Sequence, residues 1–98
     1  MSPLSKRIKE ARLRAGLSQE QLGIEIGLEP ESASTRMNRY ELGKRVPDYG
    51  LVERIAKELK LPTAYFYSVR DDEAELLRLF HGTKGEVRAR ILAVARGS

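Results

Sequence analysis

A run of hydrogen-bonding side chains between residues 32 and 39 is the feature of this sequence most able to do chemistry. It contains three hydroxyls, one amide and two guanidiniums, carried by Ser32, Ser34, Thr35, Asn38, Arg36 and Arg39. A helix that enters a DNA major groove, about 12 Å wide, must present side chains of these types to the base edges. The run therefore favours nucleic-acid binding over catalysis.

Other chemistries find little support in the composition. The chain has no cysteine and a single histidine, His81, so neither a disulfide framework nor a zinc site is expected. There is also no phosphate-binding glycine loop and no nucleophile elbow. The acidic residues at 71–75 are explained by a solvated helix N-terminus. We predict no enzymatic activity, no metal and no cofactor.

The bulk properties describe one soluble domain-sized chain with a basic N-terminal half. Its 98 residues are 41% hydrophobic and 33% charged, with a net charge of +4. Residues 1–45 carry nine Lys/Arg against six Asp/Glu, whereas residues 46–98 carry nine against eight. No apolar stretch approaches the ~20 residues of a membrane-spanning helix, and no secretory signal is present. We expect a cytoplasmic protein with no membrane partner and an anion-facing first half.

Helical periodicity and capping patterns define the first two elements. Apolar residues at helical spacing predict an amphipathic first helix over residues 4–15, which Gly16 ends. Ser18 can cap a short second helix, residues 19–26, and Gln21 can complete a capping box.

Three further helices are predicted from a proline, a capping aspartate and apolar periodicity. Pro30 suits the first turn of a third helix, which continues to Leu42 before Gly43. Asp48 caps a fourth helix with the apolar face Leu51, Val52, Ile55, Ala56 and Leu59. A short fifth helix, Thr63–Tyr67, brings three of the six aromatic side chains and should help close the core.

The C-terminal part predicts two more helices. The sixth begins at Asp71 and ends near Phe80, and Thr83 with Glu86 forms a capping-box pattern for the seventh. No segment alternates with a period of two over a useful length, so the predicted fold class is all-α. Ser68-Val69-Arg70 forms a weak seam, which divides the chain into residues 1–68 and a C-terminal extension, residues 69–98.

Two short helices joined at a glycine turn and followed by a polar helix are what a helix-turn-helix requires. The sequence also resembles the Cro/phage-repressor, or xenobiotic response element, family of regulators over residues 4–68. The resemblance rests on four stretches: Arg7-Ile8 with Arg12, the sequence GLSQEQL at 16–22, RYELGKRVP at 39–47, and Leu51 to Leu61.

This resemblance implies a five-helix lambda-repressor-like domain, with two extra helices here, whose third helix lies in the major groove. The base-reading positions of the family fall on Ser34, Thr35, Arg36 and Arg39. We expect phosphate contacts from Ser18, Gln19, Asn38, Lys44 and Arg45. The family pattern further implies an ion pair between Arg12 and Glu41, which would tie the first helix to the end of the third.

The sequence departs from the family at two places. The stretch from Gly27 to Gly43 is longer than usual by about four residues, so residues 29–32 lengthen either the recognition helix or the turn before it. Gly23 stands where alanine is usual, which lowers helix propensity but preserves a close approach of the second and third helices.

Apolar residues wrap much of the predicted sixth helix, and the seventh carries one apolar stripe. Either the sixth helix packs wholly on its own domain, or part of it forms a subunit interface. We favour a homodimer, with the interface residues Leu76, Leu77, Phe80, Val87 and Ile91.

Together these features predict a sequence-specific, double-stranded-DNA-binding transcriptional regulator, acting as a repressor on a palindromic operator as a dimer. The alternative is an antitoxin-like interaction module, whose C-terminal helices bind another protein and whose DNA binding is secondary. Identification of stoichiometric partners through residues 70–96 distinguishes the two hypotheses.

Overall fold

The computed structural model describes residues 2–97, and over this range the chain forms seven helices and no strand. The all-α prediction is confirmed. The helices are α1 (Pro3–Arg14), α2 (Gln19–Glu25), α3 (Ala33–Glu41), α4 (Tyr49–Leu59), α5 (Thr63–Phe66), α6 (Asp71–His81) and α7 (Gly85–Ala95). Within the described residues, no helix is long and apolar enough to cross a membrane.

Side-chain caps begin α2 and α4 as the sequence predicts. The Gln21 backbone N–H donates to Ser18 Oγ at 3.0 Å, and the Ser18 backbone N–H donates to Gln21 Oε1 at 2.8 Å. Asp48 Oδ1 accepts from the Leu51 N–H at 2.8 Å. These bonds satisfy backbone donors that the first turn of a helix leaves without a partner.

The predicted start of the third helix is wrong, because Pro30 lies in the turn before it. Residues 30–32 form a turn that the Ser32 N–H closes by donating to the Glu29 carbonyl at 3.0 Å, and α3 begins at Ala33. The extra residues 29–32 therefore lengthen the turn and leave α3 short.

The capping box predicted for the seventh helix is also wrong. The Thr83 hydroxyl donates to the Phe80 carbonyl at 2.8 Å, so it satisfies the end of α6 and not the start of α7. Lys84 occupies the N-cap of α7 and makes no side-chain capping bond there.

The hydrophobic core is built almost entirely from the first five helices and the loops between them. Its largest fully buried apolar side chains are Ile8, Leu22, Met37, Val52, Ile55, Tyr65 and Phe66. Ala74 is the one residue of α6 in this cluster, and α7 buries none. Two apolar positions expected to be buried differ, since Ala15, the last residue of the predicted first helix, and Tyr67 of the predicted fifth helix are exposed.

Helices α2 and α3 approach closely at Gly23. A Cβ atom at this position would lie 2.8 Å from the Ala33 Cβ and 3.1 Å from the Ala33 carbonyl oxygen. Both distances are too short for an ordinary van der Waals contact. The glycine therefore permits the packing that sets α3 against α2.

Candidate nucleic-acid interface

A buried ion pair fixes the C-terminal end of α3 against α1. The Arg12 fork donates to Glu41 through Nε at 2.6 Å and Nη2 at 3.0 Å, and through Nη1 to the Leu17 carbonyl at 2.8 Å. The two side chains are 10% and 2% exposed. The hydrogen bond to Glu41 raises the pKa of Arg12 above its ordinary value. A bidentate pair of this kind orients its two helices as well as joining them.

Gln19 extends this pair to the first turn of α2. Its amide nitrogen donates to Glu41 Oε1 at 3.1 Å and to Asn38 Oδ1 at 3.2 Å. The start of α2 and the last turn of α3 therefore share one network. Ser18, at the N-cap of α2, is exposed beside it.

The outer face of α3 carries most of the residues that the sequence analysis predicts to contact DNA bases. Ala33, Met37 and Tyr40 form its buried face, so residues half a turn away point to solvent. The exposed residues of the helix are Ser34, Thr35, Arg36, Asn38 and Arg39. Asn38 shares this outer face with Thr35, although the sequence predicts a phosphate contact for Asn38.

Arg36 lies at the flank of that face and is held by Tyr40. Arg36 Nη2 donates to the Tyr40 hydroxyl oxygen at 2.9 Å, while the tyrosine itself is only 6% exposed. Arg36, Arg39, Tyr40 and Arg45 line a cavity of about 290 Å³. Tyr40 was not among the residues predicted for the site. A tyrosine one helical turn after an arginine was the available signal.

Lys44 and Arg45 follow α3 on an exposed loop. Gly43 has a φ of +74°, which a glycine adopts at little cost. The Lys44 N–H donates a hydrogen bond to the Arg39 carbonyl at 2.9 Å. Both basic side chains are exposed. The structure therefore gathers four cationic residues, at positions 36, 39, 44 and 45, around the end of α3.

A second polar centre, which the sequence did not predict, joins α1 to the seam before α6. Arg7 is 1% exposed and donates through Nε to the Ser68 carbonyl at 3.0 Å and through Nη2 to the Val69 carbonyl at 3.3 Å. Its Nη1 lies 3.2 Å from Glu10 and 3.0 Å from Asp71. Arg7 therefore fastens both the seam and the start of α6 to the first helix.

Asp71 and Tyr65 complete this centre. Asp71 also accepts from Lys6 at 2.9 Å, and the hydrogen bonds from Lys6 and Arg7 lower the pKa of this carboxyl below its ordinary value of 3.8. The Tyr65 hydroxyl donates to Glu10 at 2.7 Å. Burial, followed by this hydrogen bond, raises the pKa of Tyr65 above its ordinary value.

The residues predicted to form a dimer interface belong to α6 and α7 and are here called the α6–α7 apolar face. Its members are Leu76, Leu77, Phe80, Val87 and Ile91. Leu76 is 54% exposed and Val87 is 45% exposed, and the other three are partly buried. Arg88 stacks over the Phe80 ring at 4.4 Å and links the two helices.

The described residues contain no group of three or more histidine, aspartate and glutamate side chains that could hold a metal ion. They do contain a polar and basic helix, α3, whose orientation is fixed by buried contacts to the short helix α2 and to α1. This geometry defines a helix-turn-helix protein.

Comparisons with known proteins place the chain more closely. Residues 3–64 match the family described as helix-turn-helix domain, and the chain belongs to this family. Among solved structures, it is similar to one titled "Crystal structure of transcriptional regulator BswR", with 37% sequence identity and a TM-score of 0.91. That similarity covers 97% of this chain and 94% of the other. A search of curated proteins found no match.

Proposed function

We propose that this helix-turn-helix protein is a sequence-specific transcriptional regulator of the Cro/phage-repressor type that binds double-stranded DNA. The observation that carries the proposal is the exposed polar face of α3, whose orientation Arg12, Glu41 and Gln19 determine from beneath. A recognition helix must keep its angle while its outer side chains exchange water for base edges. The similarity to a structure titled as a transcriptional regulator supports the same function.

In this proposal, the outer residues of α3 contact bases and the residues around it contact phosphates. The base-contacting set is Ser34, Thr35, Arg36 and Arg39, and the phosphate-contacting set is Ser18, Gln19, Asn38, Lys44 and Arg45. The Gln19 amide must give up its bond to Asn38 or Glu41 to donate to a phosphate. Arginine can bond the O6 and N7 atoms of guanine together, which gives sequence preference. Cations beside the helix end gain their affinity mainly by releasing counterions from the DNA.

The regulator acts in the cytoplasm as a repressor that binds a palindromic operator as a homodimer. Residues 1–68 form the DNA-binding domain and residues 69–98 supply the dimer contact through the α6–α7 apolar face. A two-fold dimer presents two recognition helices about 34 Å apart, one turn of DNA. Two modest half-site affinities then combine into one strong interaction.

Substitutions at Arg39 and Lys44 test the function. Arg39→Ala should cost about 1–3 kcal/mol on the preferred duplex and little on random DNA. Lys44→Ala should weaken binding to both duplexes and reduce the salt slope by about one unit. Titrations at several salt concentrations, on a duplex selected by the chain and on a random duplex, measure both effects. The opposite pattern in the two variants would contradict the placement of α3 in the groove.

A second candidate function assigns the α6–α7 apolar face to a different protein, as in an antitoxin. The exposure of α7, which buries no residue, favours this alternative as well. A stoichiometric foreign protein co-purified through residues 70–96 would support it. Self-association of the purified chain at the same face would support the regulator.

A further inference from the structure

We propose that Tyr40, Arg36 and Arg45 form a cradle for one phosphate of the DNA backbone. This inference rests on the proposed DNA-binding function and deepens it. It assigns a binding role to the Tyr40 hydroxyl and revises one assignment of the proposed function, because it moves Arg36 from the base-contacting set to the DNA backbone.

The position of Arg36 on its helix favours a backbone contact. Ala33, Met37 and Tyr40 define the buried side of α3, and Arg36 lies one turn before Tyr40 at the edge of that side. Its guanidinium turns toward the buried edge, where Nη2 donates to the tyrosine hydroxyl at 2.9 Å. A base reader should project from the middle of the outer face, as Thr35 does.

The Tyr40 hydroxyl has hydrogen-bonding capacity to spare. Its oxygen accepts from Arg36, and its own proton has no acceptor among the described residues. The phenol ring is packed in the core, so the hydroxyl is held in place. It can therefore donate to a ligand in the adjacent cavity without losing its bond to Arg36.

The charge of that cavity suits an anion. Among the described residues, its lining consists of three arginines, at positions 36, 39 and 45, together with Tyr40, and includes no carboxylate. Several donors and no competing acceptor fit an anion that has more than one oxygen. The bonds from the arginines to such an anion are charge-assisted and therefore strong. The cavity borders the loop after α3, where the backbone of groove-bound DNA passes. A DNA phosphate is thus the ligand that fits.

Hydroxyl deletion provides the main test. We expect Tyr40→Phe to weaken binding of the full chain to a selected duplex and to a random 24-base-pair duplex by the same factor, about three- to tenfold. Its salt slope should not change, because the hydroxyl is neutral. Arg36→Ala should weaken both duplexes and lower the slope by about one unit. Tyr65→Phe is the matched control, since its hydroxyl lies in the separate centre with Glu10.

A neutral phosphate analogue identifies the contact directly. Single methylphosphonates placed along the selected duplex should reveal one phosphate whose neutralisation weakens DNA binding by wild type. The same substitution should weaken binding by Tyr40→Phe and by Arg36→Ala much less. Inorganic phosphate, followed by nuclear magnetic resonance, should shift signals at this cavity only at millimolar concentration. Saturation at micromolar phosphate would instead indicate a site for a free anion and would overturn the assignment to DNA.

The outcomes separate this inference from the function on which it rests. If the wild type binds DNA and Tyr40→Phe binds it equally tightly, the cradle alone is overturned. The cradle is also overturned if Arg36→Ala weakens only the selected duplex and relaxes the preference at one base pair, because Arg36 would then read a base. A wild-type chain that binds neither duplex overturns the proposed function itself.

Discussion

The first five helices and the last two are stabilised in different ways. Helices α1 to α5 enclose a continuous apolar core, whereas within the described residues α6 contributes only Ala74 to that core and α7 contributes nothing. Burial of apolar surface is the main favourable term in folding. The first region can therefore fold around its own core, while the second depends on its contacts to α5 and α1 and on any partner that covers its apolar face.

Polar contacts show the same difference. The ion pair between Arg12 and Glu41 is buried, whereas those of Lys6 with Asp71 and Arg70 with Asp72 are largely exposed. Exposed pairs contribute little to stability, and a buried pair makes the loss of one partner costly. The orientation of the recognition helix is thus determined inside the first region. The position of α6 rests on its packing against α5, on the burial of Ala74 and on the buried Arg7.

The largest effect is expected at the buried pair of the first region. Glu41→Ala leaves Arg12 buried without its carboxylate, so the free energy of unfolding should fall by about 3–5 kcal/mol. Thermal or urea unfolding of the full chain measures the loss. The double substitution Arg12→Met with Glu41→Leu removes both charges and should recover much of it. An unchanged melting temperature for Glu41→Ala would contradict the account of how α3 is held.

A large effect on association, but not on folding, is expected in the second region. Ile91→Glu places a charge in the α6–α7 apolar face and should weaken self-association about a hundredfold, which is about 2.7 kcal/mol. The unfolding of the first five helices should change little. Sedimentation at micromolar concentration measures the association, with Ala89→Glu, on the opposite exposed side of α7, as the control. A monomeric wild type would refute the dimer.

Much of the first region could be predicted because its signals are local. The capping box of Ser18 with Gln21 and the cap at Asp48 involve groups three residues apart, so the sequence alone reveals them. The same kind of pattern at Thr83 and Glu86 predicted the wrong structure. There the Thr83 hydroxyl is used by the carbonyl of Phe80, and a pattern of residue types does not show which neighbour a hydroxyl chooses.

Contacts between distant residues could not be predicted from local patterns, and the Arg12–Glu41 pair was expected only from the family resemblance. In the sequence, Arg7 resembles any other basic residue of an amphipathic helix. In the structure it is buried and donates hydrogen bonds to carbonyls more than sixty positions away. Its burial follows from how the seam folds back onto α1. For the candidate site, the α3 residues predicted to contact DNA are exposed, and those contacts with DNA stay a prediction. The link from Arg36 to Tyr40 and the bridge from Gln19 to Asn38 become evident only in three dimensions.

A moderate effect is expected where packing is tightest. Gly23→Ala forces a methyl group against Ala33 and should destabilise the chain by about 1–3 kcal/mol. Gly82→Ala is the matched control in the second region. A Cβ atom there meets nothing nearer than the Leu79 carbonyl oxygen at 3.7 Å, so we expect a change within about 0.5 kcal/mol. Equal losses in chemical denaturation would show that the two regions do not differ in packing.

The smallest effect is expected at the contact that joins the two regions. Hydrogen bonds from Lys6 and Arg7 lower the pKa of Asp71, so folding favours the ionised carboxyl. The stabilisation this provides is therefore complete above the ordinary pKa of 3.8 and declines as the pH falls through the lower pKa of the folded chain.

Asp71→Asn should remove this pH-dependent contribution, and the side chain is exposed, so the loss should be small. The stability difference between wild type and Asp71→Asn should be present at pH 7 and should shrink on acidification below about pH 4. Urea unfolding at a series of pH values measures it. A control variant shows whether Asp71 itself holds α6 to α1. Asp72→Asn is that control, because Asp72 binds its neighbour Arg70 and does not reach α1. In the Asp72→Asn variant, the backbone amides of α6 should exchange with solvent at pH 7 as slowly as in wild type. In the Asp71→Asn variant they should exchange faster, because α6 is then held to α1 by fewer contacts. Equal exchange in the two variants would mean that Asp71 does not hold the second region to the first.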